Sequence, residues 1–183
     1  MIRIMTNDDL LERARAHIGA GELQQALDLC LPLANAGDAE AIYLIAVVSH
    51  HGGMGDQALN LYREATKLLP GRADVFYNFG VFLRESGQAD GAVEAWMQAA
   101  KINPNHWQAS FNLGLALSDS GHDAEALRAY EQCLNAAPGN VEASYNLGNA
   151  HFRLGHWQSA QSAFERVLAS RPDHGGEIGR AHV

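Results

Sequence analysis

The sequence predicts an all-α fold built from stacked helix pairs, and three features predict it. Prolines recur every 34 residues, at Pro70, Pro104, Pro138 and Pro172. Glycines recur at the same interval, at Gly53, Gly87, Gly121 and Gly155. Residues 141–172 show what lies between: a helix, a turn at Gly155, a second helix and a proline stop. A fixed period of this kind means units that cannot bury their own apolar faces and must stack.

Composition sets the limits. The chain has 183 residues, 47% hydrophobic and 19% charged, enough for a continuous core. Thirteen basic and 21 acidic residues give a net charge of −8. Gripping phosphates needs the opposite sign, so nucleic acid is not an expected partner. Cys30 and Cys133 fall in different repeats, which makes reduced thiols the expectation. The first residues lack the apolar core of a secretion signal. No apolar run approaches the ~20 residues needed to span a bilayer. The expectation is therefore a cytoplasmic protein with no membrane partner.

The chain reads in order as follows. Residues 1–6 are a lead-in. The first repeat, 7–38, opens on Thr6 or Asn7 as cap, with Asp8 and Asp9 in the favourable first turn. Leu10, Ala14 and His17 keep helical spacing, and Gly21 makes the turn. A second helix carries Leu23, Ala26, Leu27 and Cys30. Ala14, Gly21, Ala26 and Cys30 precede Ala46, Gly53, Ala58 and Tyr62 by 32 residues rather than 34. This repeat is thus short, and Pro32 near its end removes a helix hydrogen bond. It reads as degenerate.

The second repeat spans 39–72 and carries Ile42, Ile45 and Ala46 on its first helix. Its turn, residues 51–55, is glycine-rich and expected to be mobile. The third and fourth repeats are 73–106 and 107–140, and the fifth is 141–174. Residues 175–183 are expected to be a flexible tail.

Two columns of small residues explain the stacking. One is Ala46, Gly80, Gly114 and Gly148 on the first helices. The other is Ala58, Ala92, Ala126 and Ala160 on the second. Small side chains let two helix backbones approach. Ile45, Phe79, Leu113 and Leu147 fill the space beside them. Tyr62, Trp96, Tyr130 and Phe164 are expected to project towards the next repeat.

On these residues the chain resembles the tetratricopeptide repeat family, whose 34-residue pattern is W-x₂-L-G-x₂-Y, A-x₃-F, then P. The fifth repeat matches at Leu147, Gly148, Ala160, Phe164 and Pro172, and departs with Ser144 and His151. The fourth matches at Leu113, Gly114, Ala126 and Pro138. The third matches at Gly80, Ala92 and Pro104, and the second at Ala58 and Pro70. The matching residues are structural, so they speak to fold before function. The resemblance implies a right-handed superhelical α-solenoid of antiparallel helix pairs. First helices would line a concave groove that holds an extended peptide or a helix from a protein partner.

If that geometry holds, one groove column is Tyr43, Tyr77, Phe111 and Tyr145. The next is Leu44, Asn78, Asn112 and Asn146. An amide both donates and accepts, so it can pair with a partner backbone of any sequence. Three residues on, Val47, Val81, Leu115 and Asn149 share the face. Tyr and Asn are also common at these family positions, so the same residues suit packing. The three asparagines are expected to face solvent in an empty groove. Glu40, Asp74 and Glu142 form an edge of acids that reads as solvated charge. The column where some relatives place Lys and Arg to clamp a carboxylate is aromatic here, which argues against such a clamp.

Nine histidines suggest metal, but none has the i, i+4 spacing of a helical zinc site. His50-His51 are adjacent, and His151 and His156 straddle the Gly155 turn. No metal, cofactor or catalytic residue is expected, and no nucleophile elbow, phosphate loop or His-Glu-x-x-His motif occurs. The leading expectation is a non-enzymatic scaffold. Its alternatives are the substrate-recruiting repeat region of a larger enzyme, such as a peptide O-glycosyltransferase, or a homo-oligomer. For the last, Phe164, Val167 and Leu168 on the final helix are expected to lie uncovered.

Overall fold

In the computed structural model, residues 5–170 are described, and they form ten α-helices without a strand. These are α1 (Asn7–Gly19), α2 (Leu23–Asn35), α3 (Ala39–His51), α4 (Gly55–Leu68), α5 (Ala73–Glu85), α6 (Ala89–Ile102), α7 (Trp107–Asp119), α8 (Asp123–Ala136), α9 (Val141–Arg153) and α10 (Trp157–Ser170). Pro172 and the tail at 175–183 lie outside the described residues.

Local chemistry starts and stops these helices. Thr6 caps α1 through a capping box, its hydroxyl accepting from the Asp9 N–H while the Asp9 carboxylate accepts from the Thr6 N–H. Asp38 and Asn140 cap α3 and α9 by accepting from Ala41 N–H at 3.0 Å and Ala143 N–H at 2.8 Å. At the other end, α7 closes in a Schellman motif. The Gly121 N–H donates to the Ser118 carbonyl and the His122 N–H to that of Leu117. That motif needs a left-handed residue, and Gly121 takes it at φ 77°. The glycine-rich turn at 51–55 has the same geometry, with Gly53 N–H on His50 and Met54 N–H on Ser49. Proline ends the second helices by a different route. Leu69, Asn103 and Ala137, each just before a proline, leave the helical region with φ between −123° and −136°.

The missing two residues of the first repeat have a place. Helix α2 has 13 residues where α4, α6, α8 and α10 have 14. The connection after it is the three-residue 36–38, built on Gly37, where the later ones are four-residue proline loops such as 69–72. Pro32 lies inside α2, which continues to Asn35.

The chain divides into two compact units, Met1–Gly87 and Gln88–Val183. In the first, α1 to α5 pack in sequence, and α3 also touches α1 and α5. Helix α3 is its centre, with Ala41 to Ala46 all buried. Tyr62 from α4 is fully buried and stacks on Phe79 of α5, ring centroids 5.5 Å apart. In the second unit, α6 to α10 pack in sequence, and α7 also touches α9. Its main cluster joins Ala126, Tyr130, Cys133 and Leu134 of α8 to Ala143, Leu147 and Ala150 of α9.

The small-residue columns act as steric gaps. A Cβ added to Gly114 would sit 2.5 Å from the Tyr130 ring, and one added to Gly148 would sit 2.5 Å from the Phe164 ring. Each ring therefore lies over the glycine of its own helix pair, and Tyr130 also packs against the helix that follows, α9. The expectation that the final helix leaves Phe164 and Val167 uncovered is corrected. They are 4% and 2% exposed, because α9 supplies Val141, Tyr145 and Phe152 against them. Leu168 does remain exposed, at 37%, together with Trp157 at 62%.

Candidate functional site

First helices carry all the candidate contact residues. In the Met1–Gly87 unit these are Tyr43 on α3 and Tyr77, Asn78 and Val81 on α5. Tyr43 is only 5% exposed, and its neighbour Leu44 only 3%. Burial pushes the Tyr43 phenol up to about 12, so it stays protonated at neutral pH. The Asn78 side-chain N–H donates to the Tyr43 hydroxyl. Tyr77, Asn78 and Val81 are half-buried. In this unit, then, the amide of the asparagine column joins two neighbouring first helices instead of facing solvent.

In the Gln88–Val183 unit the candidates are Phe111, Asn112 and Leu115 on α7 and Tyr145, Asn146 and Asn149 on α9. All six are half-buried. Phe111 and Leu115 pack on the cluster around Tyr130, and Tyr145 packs on Phe164 with ring centroids 5.9 Å apart. Both aromatics thus serve the core with part of their surface and leave the rest open. Neither the Asn112 nor the Asn146 amide hydrogen-bonds to a described residue. The sequence explains the difference at Asn146. Asn78 meets a tyrosine 35 residues earlier, Tyr43, whereas the residue 35 before Asn146 is Phe111, which has no hydroxyl.

Charged contacts surround these faces, and reading the sequence missed most of them. Glu40 and Asp74 are not simply solvated. The Arg72 guanidinium donates to both, at 2.6 Å each, and Arg15 donates to Glu40 at 2.6 Å. Burial opposes ionisation of Asp74, but the Arg72 hydrogen bond and charge outweigh it and hold the carboxyl below the usual carboxylate range. In the other unit, Arg153 forks onto Asp123 and also reaches the Ser118 hydroxyl at 3.1 Å. His50 bridges α3 to α5, its Nε2 2.8 Å from Glu85 and its ring edge-on to Phe82. Arg72 and Asp74 are two residues apart, but the other partners are 25 to 35 residues apart, so only the repeat period itself hinted at them. Cys30 and Cys133 are free and buried, and burial pushes both thiols up to about 11. No helix among the described residues is long and apolar enough to cross a membrane.

Paired helices locked by small-residue columns, with open polar groups on the first helices, define an all-α solenoid repeat protein. The chain belongs to the tetratricopeptide repeat family. One family model matches residues 117–181, and a second matches 52–109 and 77–141. Solved structures agree on the fold. YrrB, described as a tetratricopeptide repeat protein with an unusual peptide-binding site, superposes at a TM-score of 0.76 with 23% identity, covering 97% of this chain and 93% of YrrB. MamA superposes at 0.75 with 19% identity, covering 93% of this chain and 94% of MamA. A further MamA structure, AMB-1, gives 0.75 and 21%, covering 97% of each chain. A search of curated proteins finds no match.

Proposed function

We propose that this protein is a non-catalytic binding module that holds an extended segment of a partner protein on its first-helix faces. The observation that carries this reading is the state of Asn112 and Asn146. Both are half-buried, sit on neighbouring helices α7 and α9, and have amides bonded to no described residue. An unengaged amide beside open aromatic surface from Phe111 and Tyr145 suits a peptide backbone. A protein of the same fold, YrrB, is described as binding peptide, which supports the class of ligand.

The test is selection of extended peptides from a displayed random library, followed by affinity measurement on Asn112→Ala/Asn146→Ala. Two neutral hydrogen bonds at ~0.5–1.5 kcal/mol each should weaken binding by roughly 10-fold. Unchanged affinity in a variant that melts normally would move the site off these helices.

A second reading is self-association through α10, and one comparison favours it. Leu134 on α8 is 7% exposed because α9 covers it, while its equivalent one repeat later, Leu168, is 37% exposed. Beside Leu168, Phe152, Trp157 and Gln161 line a groove of about 410 Å³. Light scattering on Leu168→Lys against the unaltered chain tests it. A monomer for both at high concentration removes the reading.

A further inference from the structure

His151 lies in the last turn of α9 and His156 precedes α10, with Gly155 between them at φ 75°. Spacing along the sequence argued against a metal role for this pair, because it lacks the i, i+4 separation of a helical zinc site. The turn reverses that. The His156 N–H donates to the His151 carbonyl at 2.9 Å, which fixes the backbone and folds one ring onto the other. The two Nδ1 atoms come to 3.3 Å, with ring centroids 5.5 Å apart.

We propose that His151 and His156 form a two-imidazole binding site for a borderline divalent metal ion of the Zn²⁺, Ni²⁺ or Cu²⁺ class. The geometry points there for a simple reason. Two nitrogens bound to one metal at ~2.0–2.1 Å and a tetrahedral angle lie about 3.3–3.4 Å apart. The rings already stand at that separation, so binding asks for little change in the Nδ1–Nδ1 distance, and the proton of the Nδ1–H ring passes to its own Nε2. Imidazole suits these metals, whereas Mg²⁺ and Ca²⁺ prefer oxygen ligands.

No group of three or more His, Cys, Asp or Glu side chains converges on a metal among the described residues. The remaining coordination positions therefore belong to water or to a side chain that a partner brings. Such an open site differs from the closed four-ligand sites that hold small domains together. It binds metal without being needed for folding.

Isothermal titration of the full chain with NiCl₂ and with ZnCl₂ tests the proposal. We expect one saturable site. His151→Gln and His156→Gln should each weaken that site by about 10-fold or more, the scale seen when even supporting groups of a metal site are removed. His50→Gln/His51→Gln serves as the control for stray histidine binding and should leave it unchanged. Substoichiometric Cu²⁺ should broaden the imidazole resonances of His151 and His156 first. Far-ultraviolet circular dichroism confirms that each variant is folded. Unaltered affinity in His151→Gln/His156→Gln, or no saturable binding in the unaltered chain up to millimolar metal, overturns the proposal.

Discussion

The side-chain N–H of Asn78 donates to the hydroxyl of Tyr43, joining α5 to α3. Tyr43 is buried, so this bond satisfies a hydroxyl that water reaches poorly. Asn112 and Asn146 occupy the same column one and two repeats later and make no such bond. Asn78→Ala should therefore destabilise the protein by about 1–3 kcal/mol, the cost of stranding a buried partner. Asn112→Ala and Asn146→Ala should each change stability by less than about 0.5 kcal/mol. Urea denaturation of the three single variants checks this. Equal losses at all three positions would contradict it.

Close helix approach at Gly114 and Gly148 gives a second outcome. Alanine is the better helix former by up to ~1 kcal/mol, so at an exposed site the change would stabilise. Here the added Cβ meets the Tyr130 or Phe164 ring at 2.5 Å. Overpacking of this kind costs ~1–3 kcal/mol. Gly114→Ala and Gly148→Ala should lower the melting temperature, and Gly114→Ala/Tyr130→Leu should recover part of the loss. A raised melting temperature in Gly114→Ala would show that the ring moves aside freely.

Acid should weaken the Met1–Gly87 unit through Asp74. Its carboxyl is held below the usual range in the folded protein. The stabilisation is thus complete above the unfolded pKa of about 4 and is lost as pH falls below it. Asp74→Asn should be less stable than the unaltered chain at neutral pH, and the gap should narrow as pH falls below about 4. Denaturation midpoints across that range measure it. A gap that persists at the acid end would mean Arg72 is not the cause.

Uneven burial predicts uneven opening. Helix α1 buries only Leu11 and Ala14, and α2 only Ala26, Cys30 and Leu33. Helix α8 alone buries Ala126, Ala129, Tyr130, Cys133 and Leu134. Amide hydrogen exchange should be faster in residues 8–33 than in 107–136, since opening free energy follows buried contact. Equal or greater protection at 8–33 would refute this.

The sequence by itself determined the helices, their ends and their close approach. Those features depend on properties each residue carries with it. Proline excludes its predecessor from the helix, as at Leu69, and glycine alone enters the left-handed turn cheaply, as at Gly121. Gly114 and Gly148 mark tight packing because they lack a Cβ, whatever their partner. Only the tertiary structure decided which side chains are spent and which are open. Asn78, Asn112 and Asn146 are the same residue in the same register, yet only Asn78 meets a hydroxyl. Arg72 found Glu40, and His151 met His156 across a turn, because helices side by side put remote residues within a few ångströms. A hydrogen bond or a shared metal depends on separations good to a few tenths of an ångström. A 34-residue period sets which helices are neighbours, but it does not set distances of that size.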